Sequence, residues 1–417
     1  MKHNLITWQR WRWSPLAFSF VLILFTGLMF LLGCLGTMPL RLPPANQAIY
    51  QQAWTMLGGN PQHTHAVAQN VAPPLSLAWK RSIRSVIADH PLTIDQFVLC
   101  FTWKGNLEIV HLENGDLLSV ERLVPALDHV PVMAYPDVYI GATMGTHNLK
   151  RFDLRIARSI YQASYPNITT APLLVKGVLF FGSHRGTFFA VKATSADSLW
   201  QQATGSPIYA SPVLADSLIV TGTEKGTLLA FAPGSGQVKW QQQLDGALYA
   251  HPVADSHRVY VGTTHGIFYA LNAQNGTIVW QTDLQGAVYD GAALFGNTLY
   301  VGTNNREVVA IDAHTGSIRW KTSFNGIVNA TPLASPDFLY VGCWDHNLYI
   351  LNRFTGEIIA QHDLKAPIKS SPIIYRGKLL VHAANEQLWA FTAGSTNNFV
   401  EASKQLLEKV YARRNKR

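Results

Sequence analysis

Ala310 to Trp320 reads AIDAHTGSIRW. Forty residues earlier the chain reads ALNAQNGTIVW, ending at Trp280. Forty before that stands AFAPGSGQVKW, ending at Trp240, and forty before that AVKATSADSLW, ending at Trp200. A tryptophan that recurs at one fixed spacing marks an internal repeat, and a period of this length belongs to repeat architectures that stack or close on themselves.

A second marker keeps the same period. A proline follows a small or polar residue at His90-Pro91, Val130-Pro131, Ala171-Pro172, Ser211-Pro212, His251-Pro252, Thr331-Pro332 and Ser371-Pro372. Gly291-Ala292 fills the one gap in register, which makes eight units. Within a unit the apolar runs are short and rich in β-branched and aromatic residues. The fourth reads IYASPVLA, SLIVTGT, GTLLAFA and QVKWQQQ, four strands separated by turn residues. Glycines such as Gly222, Gly226, Gly262, Gly266 and Gly302 are expected to take the unusual backbone angles of the tight turns. No helical period runs between Leu75 and Ala393. The pattern predicts an all-β chain, an eight-bladed β-propeller of four-stranded antiparallel blades. An open β-solenoid would use shorter repeats.

The last unit, Ser371 to Ala393, has only three strands. The segment LAWKRS around Trp79 precedes the first unit and carries a tryptophan in the outer-strand position. It is predicted to complete the final blade and close the ring, which removes the exposed edges of an open sheet. Truncation through Trp79 is therefore expected to cost more stability than loss of the C-terminal tail. A closed ring of this kind is expected to be monomeric.

Charged residues make up 14% of the 417 residues and apolar residues 48%, with 31 Gly and 21 Pro, the profile of a folded and turn-rich protein. The formal net charge of +8 is located at the ends. Lys2, Arg10, Arg12 and Arg41 stand at the front, and Lys404, Lys409, Arg413, Arg414, Lys416 and Arg417 at the back. The body is balanced and presents no nucleic-acid field. Three cysteines, Cys34, Cys100 and Cys343, make no disulfide framework, and Cys100 and Cys343 are expected as free buried thiols.

Residues 1–40 read as a signal peptide or membrane anchor. No charge falls between Ser14 and Leu40, a length sufficient to span a bilayer, and the preceding basic residues place everything after it outside the cytoplasm. Leu31-Leu32-Gly33-Cys34 resembles a bacterial lipobox, which would make Cys34 the lipid attachment site; an uncleaved anchor is the alternative. Residues 41–53 read as a linker and 395–417 as a short basic C-terminal helix or tail.

The pattern A-x-D-x-x-T-G-x-x-x-W resembles the tryptophan-docking motif of the pyrroloquinoline-quinone-like (PQQ-like) propeller family. Ala310, Asp312, Thr315, Gly316 and Trp320 match it, and Ala270, Asn272, Gly276 and Trp280 match with Asn for Asp. The opening Trp54-Thr-Met-Leu-Gly-Gly-Asn-Pro-Gln-His-Thr resembles the usual start of such propellers, so the resemblance covers residues 54–394. The motif is structural: Trp200, Trp240, Trp280 and Trp320 are expected to lie flat between blades, Gly316 to take a turn and Asp312 to bind turn backbone. The family contains quinone-dependent dehydrogenases, which bind the quinone and Ca²⁺ under large loops and an adjacent cysteine pair. It also contains non-catalytic members such as the lipoprotein subunit of the outer-membrane barrel-assembly machinery. This chain has no adjacent cysteines, near-uniform repeats and no visible cluster of oxygen ligands. The resemblance thus implies no cofactor and no enzyme, but an extracytoplasmic, membrane-anchored scaffold with protein partners at the cell envelope. A quinone-dependent oxidoreductase and a carbohydrate- or small-ligand-binding module are the alternatives.

Outside the motif, His90 and His251 hold the same place in opposite units and are expected to line the central channel. Two ligands across a channel make a poor metal site. His63 and His65, in the tripeptide HTH, are expected at the surface. Arg155 and Arg158, where the second unit departs from the pattern, and Trp103 and Trp344, at turn tips, are candidate partner-binding residues.

Overall fold

The computed structural model describes residues 53–394. The predicted anchor with Cys34, the linker up to residue 52 and the tail from residue 395 lie outside the described residues. Among the described residues no helix is long and apolar enough to cross a membrane.

Eight four-stranded antiparallel sheets make up the fold. Seven blades use four consecutive strands each: blade 1 spans 92–122, blade 2 132–163, blade 3 173–203, blade 4 213–243, blade 5 253–283, blade 6 292–323 and blade 7 333–363. Blade 8 combines Ile373–Tyr375, Lys378–Ala383 and Gln387–Ala393 with Leu75–Ser82 as its outermost strand. Leu75 pairs with Ala393 and Ser82 with Gln387, so the two ends of the ring are joined by an antiparallel ladder.

The core lies between blades. Inner strands are covered on both faces and read as unbroken apolar runs; Thr298–Gly302 (TLYVG) is buried throughout. Outer strands show one face to water and alternate, as Ile318–Ser323 does. Cys100 and Cys343 are free and buried.

Glycine serves two purposes here, of which the sequence suggested one. Gly226 and Gly266 do sit in the left-handed region, each at φ 83°. Gly222, Gly262 and Gly302, by contrast, end second strands without positive φ. They are glycines because the next blade approaches them. A Cβ on Gly262 would stand 2.5 Å from the Val288 Cβ, and one on Gly222 2.7 Å from the Leu248 Cβ.

The tryptophans dock by a single rule. Trp280 donates its indole N–H to the Ala313 carbonyl at 3.1 Å, and a Cβ on Gly316 would meet the Trp280 ring at 2.7 Å. Trp200 pairs in the same way with Pro233 and Gly236, Trp240 with Ala273 and Gly276, and Trp320 with Arg353 and Gly356. Each indole is thus held by a backbone carbonyl while its face lies under a side-chain-free turn of the next blade. Asp312 shapes that turn by accepting from the backbone N–H groups of His314 and Thr315, both at 2.9 Å. Burial opposes ionisation of Asp312, but the Arg319 guanidinium and these N–H donors outweigh it and hold its carboxyl at about 2.

Copies of the motif fail in pairs. Ser119 and Tyr161 stand where tryptophans are expected, and the corresponding turns of the following blades carry Ala157 and Ala196, at φ 51° and 62°, in place of glycine. Tyr161 keeps the polar half of the contact by donating to the Ala193 carbonyl at 3.0 Å. Ala360 faces blade 8, whose third and fourth strands come from opposite ends of the chain, so no turn exists there to receive an indole.

Candidate functional site

The axis of the ring is occupied by the chain's own residues 54–67. This segment makes a circuit of the inner strands at one end of the channel. The backbone N–H groups of Thr93, Met133, Leu214, Ala254, Leu294 and Ala334 donate to the carbonyls of Trp54, Thr55, Pro61, Gln62, Thr64 and His65, at 2.7 to 3.0 Å. These six donors hold equivalent positions in blades 1, 2, 4, 5, 6 and 7. In blade 8 the Trp54 indole donates to the Ile374 carbonyl at 2.9 Å, and beside blade 3 Met56 packs on the cluster that contains Leu173. Inner strands have one unpaired edge toward the channel, and the segment supplies acceptors for it. Gly58 and Gly59, at φ 68° and 80°, turn the segment between its contacts with blades 2 and 4. The segment then leaves over blades 7 and 8, where Asn70 bonds Ser335 and Asp337 and Gln69 bonds the Gly377 N–H. A groove of about 560 Å³ flanks this exit, lined in part by Trp54, Val67 and Arg376.

The surface position expected for His63 and His65 is overturned. They are 2% and 0% exposed. The physical reason is the circuit itself, which carries the HTH tripeptide into the channel between His90 and His251. The His65 ring lies 5.9 Å from His90 and 5.6 Å from His251, and His63 lies 5.3 Å from His251. Trp54 covers the group at 5.3 Å from His90. His90 and His251 thus stand in the channel wall, bridged through His65. Both ring nitrogens of His65, Nδ1 of His63 and Nε2 of His90 and His251 are buried without a hydrogen-bond partner in the protein. Burial pushes the imidazoles of His63 and His65 well below the ordinary histidine value, and the nearby His251 adds to it.

Two carboxylates flank the histidines on the side of the inter-blade connections. Asp290 Oδ1 is 3.1 Å from His251 Nδ1 and accepts from the Gly291 N–H, while Oδ2 accepts from Thr331. Burial opposes its ionisation, yet these partners hold its carboxyl below the usual range. Asp89 accepts from the Ser371 N–H at 3.0 Å, and burial raises its carboxyl. Gly291 holds the place of Ser211, His251 and Thr331 in the other units. A Cβ on Gly291 would lie 2.1 Å from His251 Nε2, so the imidazole occupies the space that a side chain takes in other units.

The face carrying the inter-blade connections is rich in aromatic rings. Tyr209, Tyr249 and Tyr289 form an arc with centroids 5.3 and 6.3 Å apart. Tyr209 bonds His184 and Tyr249 donates to Glu224. On the same face Trp103 is 51% exposed and Met144 63%. Trp344 is half-buried beneath the Lys369 ammonium, 4.4 Å from its ring. Arg155 and Arg158 are exposed, but Arg155 lies in the turn between the third and fourth strands of blade 2 and Arg158 opens the fourth strand, on the opposite face; Arg155 pairs with Asp153 at 2.8 Å. The structure therefore does not bring Arg155 and Arg158 together with Trp103 and Trp344. The tyrosine arc was visible in the sequence as an aromatic recurring every 40 residues. The histidine cluster had a weaker signal: the HTH tripeptide sits in a stretch, residues 53–71, that has no other ionisable side chain.

Pyrroloquinoline quinone is a tricarboxylate held with Ca²⁺, and the axial residues do not suit it. They are two carboxylates, each accepting a backbone N–H, and four histidines, and among the described residues no three His, Cys, Asp or Glu side chains are arranged to hold a metal ion.

The family description "Outer membrane protein assembly factor BamB" matches residues 137–287 and 265–343. Among curated proteins none matches. BamB from Moraxella catarrhalis superposes with a TM-score of 0.63 at 16% identity, over 76% of this chain and 99% of that one. The quinohemoprotein alcohol dehydrogenase of Comamonas testosteroni gives 0.72 at 12% identity, over 83% and 81%. The computationally designed Ika8 protein gives 0.68 at 16%, over 75% and 98%. At such identities the likeness to these structures concerns the fold. With the repeat motif, the eight blades and the family match taken together, the chain belongs to the PQQ-like β-propeller family.

Proposed function

We propose that this chain is a non-catalytic, extracytoplasmic propeller, anchored to the membrane through its N-terminal region, that serves as a docking scaffold for other proteins in envelope or outer-membrane protein assembly. The observation that carries this reading is the state of the axis. Residues 54–67 fill it and use their carbonyls on the inner strands of six blades. What remains for recognition is the outer surface. The face bearing Trp103, Met144, Trp344 and the tyrosine arc has the exposed aromatic character of interface anchors. The match to an outer-membrane assembly factor supports the choice of partner class.

A photo-crosslinking residue placed at Trp103 or Trp344 in the native envelope tests the reading. Discrete adducts with envelope-assembly proteins are expected from both, and none from Val238, which lies on the outer strand of blade 4. Identical adduct patterns at all three positions would count against a docking face.

A further inference from the structure

We propose that residues 54–67 form a proton-operated plug: acidification charges His63 and His65 and releases the segment from the inner strands, opening the ring along its axis. The proposal is independent of which protein docks on the outer face.

The plug is neutral apart from these two residues. Between positions 53 and 71 there is no Asp, Glu, Lys or Arg. Every charge it acquires on acidification therefore falls on His63 and His65, which stand in the channel packed against further imidazoles. Blade 1 faces them with His90, preceded by Asp89; blade 5 faces them with His251; blade 6 supplies Asp290, which is held by His251, Gly291 and Thr331. Blades 2, 3, 4, 7 and 8 present Val130, Ala171, Ser211, Thr331 and Ser371 at the equivalent position, none of which ionises. His129 precedes Val130, and Asp95 pairs with Arg376 beside the flanking groove. Among the described residues neither His63 nor His65 makes an ion pair.

Two cations formed in this buried group would face each other and the neighbouring imidazoles with no carboxylate of their own. The sign follows from burial. The folded state disfavours protonation of His63 and His65 relative to the unfolded segment, so the plugged state is fully favoured above the ordinary histidine value and loses ground as pH falls below it. The segment is suited to local release. Its backbone attachments to the inner strands are sparse, one hydrogen bond each to blades 1, 2, 4, 5 and 6 and two to Ala334 of blade 7, and His63 and His65 both sit at positive φ, 55° and 44°, which relaxes on release.

Hydrogen–deuterium exchange by mass spectrometry on the full-length chain in detergent tests the plug, with exchange times scaled for the intrinsic pH dependence. Between about pH 7 and about pH 5, amides of 54–67 and the inner-strand amides bonded to them should lose protection about tenfold more than amides of 307–312 in blade 6. The H63Q/H65Q double variant should abolish the difference, and H63Q alone, which keeps more of the packing, should reduce it. Protection of the segment that persists throughout, loss in step with the blades, or a pH response retained in the variants would overturn the proposal. So would stoichiometric Zn²⁺ binding that locks the segment and removes its pH response, since the cluster would then be a metal site.

Discussion

Trp79 lies flat against Gly115. A Cβ on Gly115 would stand 2.7 Å from the indole, and the indole N–H donates to the Leu112 carbonyl at 2.8 Å. This is the same contact that joins Trp280 to blade 6, made here between the strand that opens the ring and the blade that follows it. Ring closure therefore uses the ordinary joint between blades, supplied by a strand from the other end of the chain.

Trp79→Ala should cost about 3–5 kcal/mol, the usual range for loss of a buried tryptophan. Urea unfolding should show a shift at least as large as that of Trp240→Ala, because Trp79 also holds the one strand, among the described residues, that does not follow its blade's other strands in sequence. Removing residues 395–417 should leave the midpoint near that of the full chain. Equal losses for the two changes would contradict the closure described here.

Gly316 and Gly177 separate packing from backbone strain. Both have positive φ, 77° and 78°, but a Cβ on Gly177 meets nothing within 4 Å whereas one on Gly316 meets the Trp280 ring. Gly177→Ala should cost about 1 kcal/mol, from strain alone. Gly316→Ala should cost about 2–4 kcal/mol, because the indole must also move. Similar costs in urea unfolding would remove the docking explanation of the glycine.

Gly291→Ser restores the residue type found at Ser211 and Ser371 and should nevertheless destabilise the ring, by about 1–3 kcal/mol, by displacing His251. Combined with His251→Ala, the serine should cost much less than it does alone. A double-mutant cycle reads this directly, and additive effects would show that Gly291 is not there for the imidazole.

Glu108 is a buried carboxylate in blade 1, at a position filled by Phe189, Leu229 and Tyr269 in other blades. Its Oε1 accepts from the Arg84 N–H at 2.8 Å and its Oε2 has no partner in the protein. Burial raises its carboxyl above the ordinary glutamate value. The folded state therefore favours the protonated form, and that contribution is lost as pH rises through the raised value. Glu108→Gln keeps the acceptor and removes the charge, so it should raise the urea midpoint at neutral pH and leave it little changed at about pH 4. A gain of equal size at both pH values would point to a cause other than ionisation.

The blades were legible because every unit repeats the same solution to the same packing problem. Trp200, Trp240, Trp280 and Trp320 announce the period, and the three-stranded last unit announces the closure at Trp79. The axis was not legible, because residues 54–67 occur once and have no copies to compare. His63 and His65 read as surface residues until the circuit of backbone bonds places them between His90 and His251. Gly291 shows the same limit from within the repeats: its departure was visible, but its cause is a histidine from the preceding blade. The aromatic face is intermediate, since Tyr209, Tyr249 and Tyr289 keep the period while Trp103 and Trp344 depart from it.

The central claim is that this ring is a scaffold whose axis belongs to its own chain. Titration of the purified full-length chain with pyrroloquinoline quinone in the presence of Ca²⁺, followed by absorbance and by dye-linked alcohol oxidation, addresses it most directly. The scaffold predicts no saturable spectral change and no turnover. Stoichiometric uptake of the quinone with alcohol oxidation would contradict it.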